Sequence, residues 1–255
     1  MKKTEIQRIA NQRVKLWKEM EMKRFLNMVA DIFYPRCCPV CQKILADQRR
    51  MICPECEKEL RPIGHPRCYK CGKPIETGEY CRDCQKHRHM YEQGRGIFVY
   101  DGIMRRSVTR YKYYGCREYG DFYARAMYRY AQKELREWKP DLIVPVPVHR
   151  SKERQRGFNQ AAYLAEKLGH YTGISTDVNI VQKVLKTKSQ KKLNALQRRK
   201  NLEKAFCVTG DVRGKNILVV DDVYTTGSTI DAMAGCLKRK GAGNVYFLTV
   251  CIGRR

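Results

Sequence analysis

Residues 216–230, NILVVDDVYTTGSTI, form the stretch of sequence that decides the fold. The apolar run NILVV is short and β-branched, which predicts a buried central strand of a parallel sheet. Two carboxylates, Asp221 and Asp222, come next, and a turn of small residues then opens a helix that carries Ile230. Because ligands of open α/β sheets bind beyond the carboxyl ends of the strands, this stretch predicts a binding site at that edge of the sheet.

The turn after the acidic pair has the composition of an anion-binding loop. Its glycine permits close approach of the backbone, its hydroxyl side chains are donors, and amides at a helix N-terminus point outward. Paired carboxylates beside such a loop suit a sugar phosphate, because they accept hydrogen bonds from ribose hydroxyls or approach Mg²⁺. A simpler interpretation is a solvated Asp-Asp turn followed by a Ser/Thr N-cap. The residues of the predicted phosphate loop are Thr225, Thr226, Gly227, Ser228 and Thr229.

Strand-like and helix-like segments alternate on both sides of this stretch. Strands are predicted at GIFVY, LIVPVPV and VYFLTVCI, and helices over about residues 117–139, in NQAAYLAEKLG and over residues 228–239. Further apolar segments are NIVQKVL and AFCVT. Such alternation predicts an α/β fold, with a parallel sheet and flanking helices.

Thirteen cysteines are present, and eight of them form four CxxC units within a short window. Two CxxC turns separated by a loop supply the four soft ligands of a tetrahedral zinc site, so one or two structural zinc ions are predicted. Redox chemistry is the alternative for CxxC units. The spacing leaves open whether the units pair in sequence or interleave. The predicted ligands are Cys38, Cys41, Cys53, Cys56, Cys68, Cys71, Cys81 and Cys84.

The chain is strongly basic, with 52 Lys plus Arg against 26 Asp plus Glu and a formal net charge of +26 over 255 residues. A charge of this size favours a polyanionic partner, and single-stranded nucleic acid is the candidate because tyrosines lie among the basic residues. Tyr119, Tyr123 and Tyr130 have helical spacing and are predicted as helix core. The stacking role is therefore assigned to Tyr111, Tyr113 and Tyr114.

Composition divides the chain into three parts. Residues 1–34 predict a basic amphipathic helix, which could lie on anionic lipid as a peripheral membrane contact or dock a partner. Residues 35–90 hold the CxxC units, and residues 91–255 hold the α/β pattern. No apolar run approaches the ~20 residues of a transmembrane helix, and the N-terminal stretch lacks a secretory signal pattern, so we expect a cytoplasmic protein.

The motif VVDDVYTTGSTI resembles the phosphoribosyl pyrophosphate (PRPP) motif of type I phosphoribosyltransferases. Within that superfamily the chain is similar to the ComF competence family through FYPRCCPVC, RYKYYG, PVPVHRSKERQRGFNQA and TKSQKKLNALQRRKNLEKAF. These segments span about residues 33–251. The resemblance implies a type I phosphoribosyltransferase-like parallel sheet, preceded by a small Cys-rich zinc-binding module.

The resemblance also assigns residues. It implies that Asp221 and Asp222 meet the ribose hydroxyls, that the predicted phosphate loop holds the 5-phosphate, and that Mg²⁺ accompanies PRPP. Pro147, Val148, His149 and Arg150 would meet pyrophosphate, with Lys112, Arg156 and Arg198 as basic ligand contacts. A mobile lid would include Thr187, Ser189, Gln190, Leu193, Arg198 and Asn201. From the residues alone, segment 183–204 is equally a solvated loop or an anion site, and His149 is equally a structural residue or a ligand contact.

The function that the resemblance implies is a cytosolic competence factor. It would handle incoming single-stranded DNA in natural transformation, near the inner face of the membrane and beside a helicase-like partner, with a site for PRPP or another ribose 5-phosphate ligand. One alternative is an active phosphoribosyltransferase that joins PRPP to a nucleobase or other acceptor. Another is a regulator that senses PRPP or a nucleotide, so the sequence leaves open whether the protein is an enzyme.

Overall fold

The computed structural model describes Met22 and residues 35–184 and 205–254. The chain forms two compact units, Met1–Cys53 and Pro54–Arg255. In the first unit, the Cys38 amide donates to the Lys43 carbonyl over 2.9 Å, and Cys37 forms a β-bridge with Ile44. This is a tight turn around the first CxxC unit. Apart from Met22, the helix predicted for residues 1–34 lies outside the described residues.

The second unit is built on a five-stranded parallel sheet. Its strands are β1 (Gly94–Val99), β2 (Leu142–Pro145), β3 (Ser175–Thr176), β6 (Ile217–Tyr224) and β7 (Val245–Ile252), in the order β1-β7-β6-β2-β3. Two short antiparallel strands, β4 (Val181–Lys183) and β5 (Phe206–Val208), form a separate ribbon. The predicted parallel sheet with flanking helices is confirmed. Among the residues that the structure describes, β4 and β5 pair with each other and not with this sheet.

Eight helices are described. They are α1 (Pro54–Glu59), α2 (Arg82–Lys86), α3 (Gly102–Tyr113), α4 (Tyr119–Tyr130), α5 (Gln132–Trp138), α6 (Arg150–Arg156), α7 (Gln160–Thr172) and α8 (Ser228–Arg239). The single helix expected over residues 117–139 is two helices, because Ala131 leaves the helical region with φ −114° and ψ 18°. Helix α3 was not predicted; Asp101 caps it by accepting from the amides of Ile103 and Met104.

The sheet has an apolar layer on each face, which the alternation along β6 shows directly. Ile217 and Val219 belong to one hydrophobic cluster, and Leu218 and Val220 belong to the other. Helices α4 and α7 contribute to the second cluster, while α8 and the β4–β5 ribbon contribute to the first. Burial on both faces explains why the run NILVV is continuously apolar.

Strand β6 is longer than the sequence pattern indicates. It continues through the acidic pair to Tyr224, and its register with β7 places Asp221 opposite Thr249 and Tyr224 opposite Ile252. The two carboxylates therefore lie within the strand and do not follow it. Backbone pairing with β7 holds the two carboxylates in position. Because their side chains are polar, the sequence did not indicate that the strand continues through them.

The strand order positions a binding site. From β2 the chain moves outward to β3, and from β6 it moves the other way to β7, so the connections diverge between β2 and β6. Such a switch point opens a crevice at the carboxyl ends of the two strands. Across residues 35–184 and 205–254, no helix is both long enough and apolar enough to cross a membrane.

Candidate functional site

A cavity of ≈ 340 Å³ lies at the carboxyl ends of β2 and β6, where the strand order opens a crevice. Its walls bring together the acidic pair, the loop after β2 and the first residue of helix α7. The lining residues are Tyr100, Lys112, Val146, Pro147, Val148, His149, Lys152, Arg156, Asn159, Gln160, Ala161, Lys183, Asp221, Asp222, Val223, Thr225 and Thr229.

The acidic pair is the electrostatic centre of this cavity. The Lys112 ammonium lies 2.8 Å from Oδ1 of Asp222, and both side chains are largely buried. Burial opposes the charge on Lys112, but the facing Asp222 carboxylate outweighs it and raises the pKa of Lys112. Burial, followed by repulsion from Asp222, raises the pKa of Asp221 to about 7. The pair therefore carries less than two negative charges near neutral pH, one of them already paired.

The predicted phosphate loop connects β6 to α8. Gly227 is the N-cap of α8 and has φ +78°, a conformation that favours glycine. The hydroxyls of Thr226 and Ser228 lie 3.0 Å apart. Thr225 and Thr229 line the cavity, whereas Thr226, Gly227 and Ser228 do not. The first amides of this twelve-residue helix point toward the same end of the sheet, which suits an anion.

The loop after β2 supplies the opposite wall. Pro147, Val148 and His149 line the cavity, whereas Arg150 is exposed and does not. Nδ1 of His149 accepts from the Ser151 amide over 3.2 Å, so this side chain caps α6. Of the two roles that the sequence left open for His149, the structural one is present, and the residue also faces the cavity.

Arg156 and the start of α7 form a third wall. Nη1 of Arg156 donates to Oε1 of Gln160 over 2.8 Å, and Nη2 donates to the Tyr113 hydroxyl over 2.9 Å. Oδ1 of Asn159 accepts from the Ala161 amide and caps α7. These contacts fix the Arg156 guanidinium in the wall of the cavity.

Several lining residues were not among the predicted site residues, including Tyr100 and Lys152. Lys183, which also lines the cavity, begins the segment that the sequence left open between a solvated loop and an anion site. Lys152 follows the predicted pyrophosphate residues within the same segment, which is the only signal that could have found it. Burial, followed by repulsion from Lys152, lowers the pKa of Lys183. With Lys112 and Arg156, four cationic side chains surround two carboxylates, so the cavity suits a ligand with more than one negative charge.

One aromatic assignment is wrong. Tyr111 was expected to stack on bases, but it is fully buried and its hydroxyl donates to the Gln160 carbonyl over 2.9 Å. Tyr113 and Tyr114, at the end of α3, are 55% and 72% exposed. Tyr119 and Tyr123 are buried, as expected for helix core, whereas Tyr130, which was expected there too, is 36% exposed. The lid residues lie outside the described residues: Thr187, Ser189, Gln190, Leu193, Arg198 and Asn201.

The eight CxxC cysteines form two sets of four. One comprises Cys38, Cys41, Cys53 and Cys56, and the other Cys68, Cys71, Cys81 and Cys84; within each set the four sulfur atoms lie within 4.8 Å of one another. The first CxxC unit therefore pairs with the second, and the third with the fourth. Each set offers the four thiolates of a tetrahedral structural zinc site. In the second set, the Cys68 amide donates to the Lys73 carbonyl and the Gly72 amide to the Cys68 carbonyl, as in a zinc knuckle.

Comparison with known proteins matches both parts of the chain. Residues 29–85 match a double zinc ribbon domain and residues 119–255 match a phosphoribosyl transferase domain. The chain is similar to "Competence protein ComFC" of Bacillus subtilis, with 29% identity over 74% of this chain and 79% of that protein. It is also similar to "DNA utilization protein YhgH" of Salmonella typhi, with 30% identity over 84% of this chain and 89% of that protein.

Among solved structures, a purine phosphoribosyltransferase from Pyrococcus horikoshii aligns with 51% of this chain and 73% of its own, at 20% identity and a TM-score of 0.35. The two family models agree with the parallel sheet and with the two cysteine sets described above. This chain, with its zinc ribbons and its phosphoribosyltransferase domain, therefore belongs to the ComF family.

Proposed function

We propose that the protein handles single-stranded DNA during natural transformation and binds PRPP, or a related ribose 5-phosphate compound, in the cavity between β2 and β6. The observation that carries the ligand assignment is the cavity itself. It combines two carboxylates, four cationic side chains and the loop at the start of α8. A sugar that bears phosphates needs hydroxyl acceptors and cationic neighbours together, and this combination supplies both.

In this proposal each wall has one task. Asp221 and Asp222 accept hydrogen bonds from ribose hydroxyls, and residues 225–229 hold the 5-phosphate. The loop after β2, with Lys152 and Arg156 near it, holds pyrophosphate. Carboxylate oxygens are the hard donors that Mg²⁺ prefers, so the acidic pair also suits a magnesium ion that accompanies PRPP.

The surface supports the DNA half of the proposal. Tyr113 and Tyr114 are exposed, and the Arg156 guanidinium lies 4.8 Å from the centre of the Tyr113 ring. Aromatic rings beside guanidinium groups stack on bases while the cations neutralise phosphates. The net charge of +26 adds long-range attraction for a polyanion. Two of the similar proteins are named for competence and for DNA utilization, which supports a DNA-related role for this chain.

We place this activity in the cytoplasm, beside a helicase-like partner and in peripheral contact with the membrane. An active phosphoribosyltransferase is the alternative that the cavity also supports. In that reaction an acceptor would attack C1 of PRPP, and the C1–O bond would break to release pyrophosphate. A sensor that binds PRPP without turnover would leave the ligand intact.

Calorimetric titration tests the ligand assignment. Ribose 5-phosphate, and PRPP with Mg²⁺, are titrated into the full chain and into the Asp221→Asn/Asp222→Asn variant. We expect the variant to bind at least about tenfold more weakly, because it loses hydrogen bonds to charged acceptors. Asp211→Asn, at an exposed carboxylate outside the cavity, is the control and should match the wild type. Absence of heat with both ligands in the wild type would refute the assignment, and pyrophosphate release with an added base would establish the enzyme.

Anisotropy of a labelled single-stranded oligonucleotide tests the DNA assignment. The logarithm of affinity should fall with the logarithm of salt concentration, by about 0.7 per phosphate neutralised. Tyr113→Ala/Tyr114→Ala should weaken binding by roughly five- to a hundredfold if the rings stack on bases. Tyr69→Ala/Tyr80→Ala removes two other exposed tyrosines and is the matched control. An affinity that does not change with salt would contradict the proposal.

A further inference from the structure

The phosphate loop is held at both of its ends by one short segment, residues 89–91. Before the loop, the hydroxyls of Tyr91 and Tyr224 share a hydrogen bond of 2.7 Å. After the loop, Nδ1 of His89 donates to Oδ2 of Asp231 over 2.7 Å, and the Met90 amide donates to Oδ1 of Asp231 over 3.0 Å. The side chains of His89, Tyr91, Tyr224 and Asp231 are all buried. We call residues 89–91 the clamp.

Tyr224 carries the contact from the clamp into the loop. Its ring stacks on Phe247 with the ring centres 4.6 Å apart and the planes 3° apart, so the ring has a fixed orientation. A Cβ atom built on Gly227 would lie 2.4 Å from the Tyr224 hydroxyl oxygen. The phenol therefore lies directly against the glycine that begins α8, and a shift of Tyr224 would disturb the loop.

The other side of the clamp is attached to the second cysteine set. Cys68 and Cys71 are buried in the same hydrophobic cluster as Tyr91 and Tyr224. Lys73 follows this CxxC unit; its ammonium lies 2.6 Å from Oδ2 of Asp83 and 5.9 Å from the centre of the Tyr224 ring. Asp83 lies between Cys81 and Cys84 in the sequence. Both knuckles of the second set thus contribute to the packing around Tyr224.

We propose that zinc occupancy of the second cysteine set controls the conformation of the phosphate loop through the clamp, and so sets the affinity of the cavity for ribose 5-phosphate. Tyr91 and Tyr224 are positioning residues in this arrangement. A zinc-binding segment that has no hydrophobic core of its own depends on its metal for folding. Loss of zinc therefore releases Lys73 and the packing beneath Tyr91, and the loop loses its support. This inference rests on the proposed ligand of the cavity.

Calorimetry with ribose 5-phosphate tests the coupling in the full chain, with zinc content measured for each preparation. Cys81→Ser/Cys84→Ser empties the second set, and Cys38→Ser/Cys41→Ser is the matched variant of the first set, whose cysteines are not part of the contacts described. We expect at least about tenfold weaker binding when the second set is emptied. Emptying the first set should change affinity less than about twofold.

Each outcome is decisive. If the wild type binds ribose 5-phosphate and both cysteine variants are folded and bind it equally well, or equally poorly, the coupling is refuted while the proposed ligand stands. If the zinc-replete wild type binds none, the proposed ligand is refuted and this inference fails with it.

A smaller change covers the case in which the cysteine variants do not fold. Tyr91→Phe removes one hydroxyl and should weaken ribose 5-phosphate binding by about three- to tenfold while zinc content stays at the wild-type value. Tyr130→Phe, at a partly exposed tyrosine at the end of α4 and outside the second set, is its control. Linkage requires the reverse effect as well: saturating ribose 5-phosphate should tighten zinc binding by the second set, measured against a chelating dye, by the same factor. Zinc affinity that does not respond to the sugar would overturn the proposal.

Discussion

At the scale of single residues, Gly227 shows how backbone and packing requirements combine at one position. Its φ of +78° is a left-handed conformation, which costs a residue with a Cβ atom about 1–2 kcal/mol. In addition, the Tyr224 hydroxyl occupies the space that a Cβ atom would need. Both the backbone conformation and the packing of Tyr224 thus require glycine at this position of the predicted phosphate loop.

Gly227→Ala should lower both stability and ligand affinity. We expect a loss of about 2–4 kcal/mol in the free energy of unfolding, from left-handed strain and overpacking together, measured in urea. Ribose 5-phosphate binding should weaken by about tenfold or more, because Tyr224 must move. Gly173→Ala is the control: Gly173 has φ +74° but open space around it, so it should show only the strain. Equal losses in the two variants would show that Tyr224 yields without cost.

At the scale of elements, the edge strand β1 contains two glycines, and large side chains of the neighbouring strand pack closely against them. A Cβ atom on Gly94 would lie 1.9 Å from the Phe247 ring, and one on Gly96 would lie 2.5 Å from Cβ of Ile252. Both neighbours are on β7, the strand that pairs with β1. Glycine in a strand marks such close approach, and here it lets two large side chains of β7 pack over the edge of the sheet.

Gly96→Ala should therefore weaken the attachment of β1. We expect the free energy of unfolding to fall by about 1–3 kcal/mol, from overpacking against Ile252, measured by urea denaturation. Gly102→Ala is the matched control. Gly102 is the first residue of α3, and the nearest atom to a Cβ at this position would be Nη1 of Arg106, 3.8 Å away. A stability of Gly96→Ala equal to that of the control would contradict the packing argument.

The elements also show what the sequence could and could not predict. The run NILVV and the segment VYFLTVCI are buried on both faces, so their apolar composition was sufficient to predict β6 and β7. The split at Ala131 was not predictable, since nothing in the local sequence breaks the helical pattern there. Helix α3 was missed because the basic residues in its sequence obscure its apolar side, where Met104, Val108 and Tyr111 are buried.

At the site, residues within one sequence motif could be predicted, whereas residues that the fold brings in from elsewhere in the chain could not. Asp221, Asp222, Thr225 and Thr229 are local to one motif, and the sequence placed them together. Lys183 reaches the cavity from a strand distant in sequence from that motif, and its basic segment left a solvated loop and an anion site equally open. The CxxC spacing predicted one or two zinc ions and left the pairing of the CxxC units open. The packing of the second set against the core depends on side chains distant in sequence, such as Tyr91 and Tyr224.

At the scale of the whole molecule, two charge distributions coexist. The exterior is basic enough to attract any polyanion, as the net charge of +26 indicates. The cavity between β2 and β6 instead combines cationic side chains with the acidic pair. In the proposed function, this combination selects for a ligand with hydroxyls as well as phosphates. Long-range attraction and local selection therefore belong to different parts of one chain.

The ion pair between Lys112 and Asp222 has a consequence for which sugars the cavity admits. If a ribose hydroxyl replaced the Lys112 ammonium as the partner of Asp222, the ammonium would be left largely buried without a counter-ion. A ligand that carries its own anionic group would supply a new partner for Lys112. A bare pentose cannot compensate, whereas one carrying phosphates can. In the proposed function, this lysine makes the pocket discriminate against unphosphorylated carbohydrate before any contact with the 5-phosphate is considered.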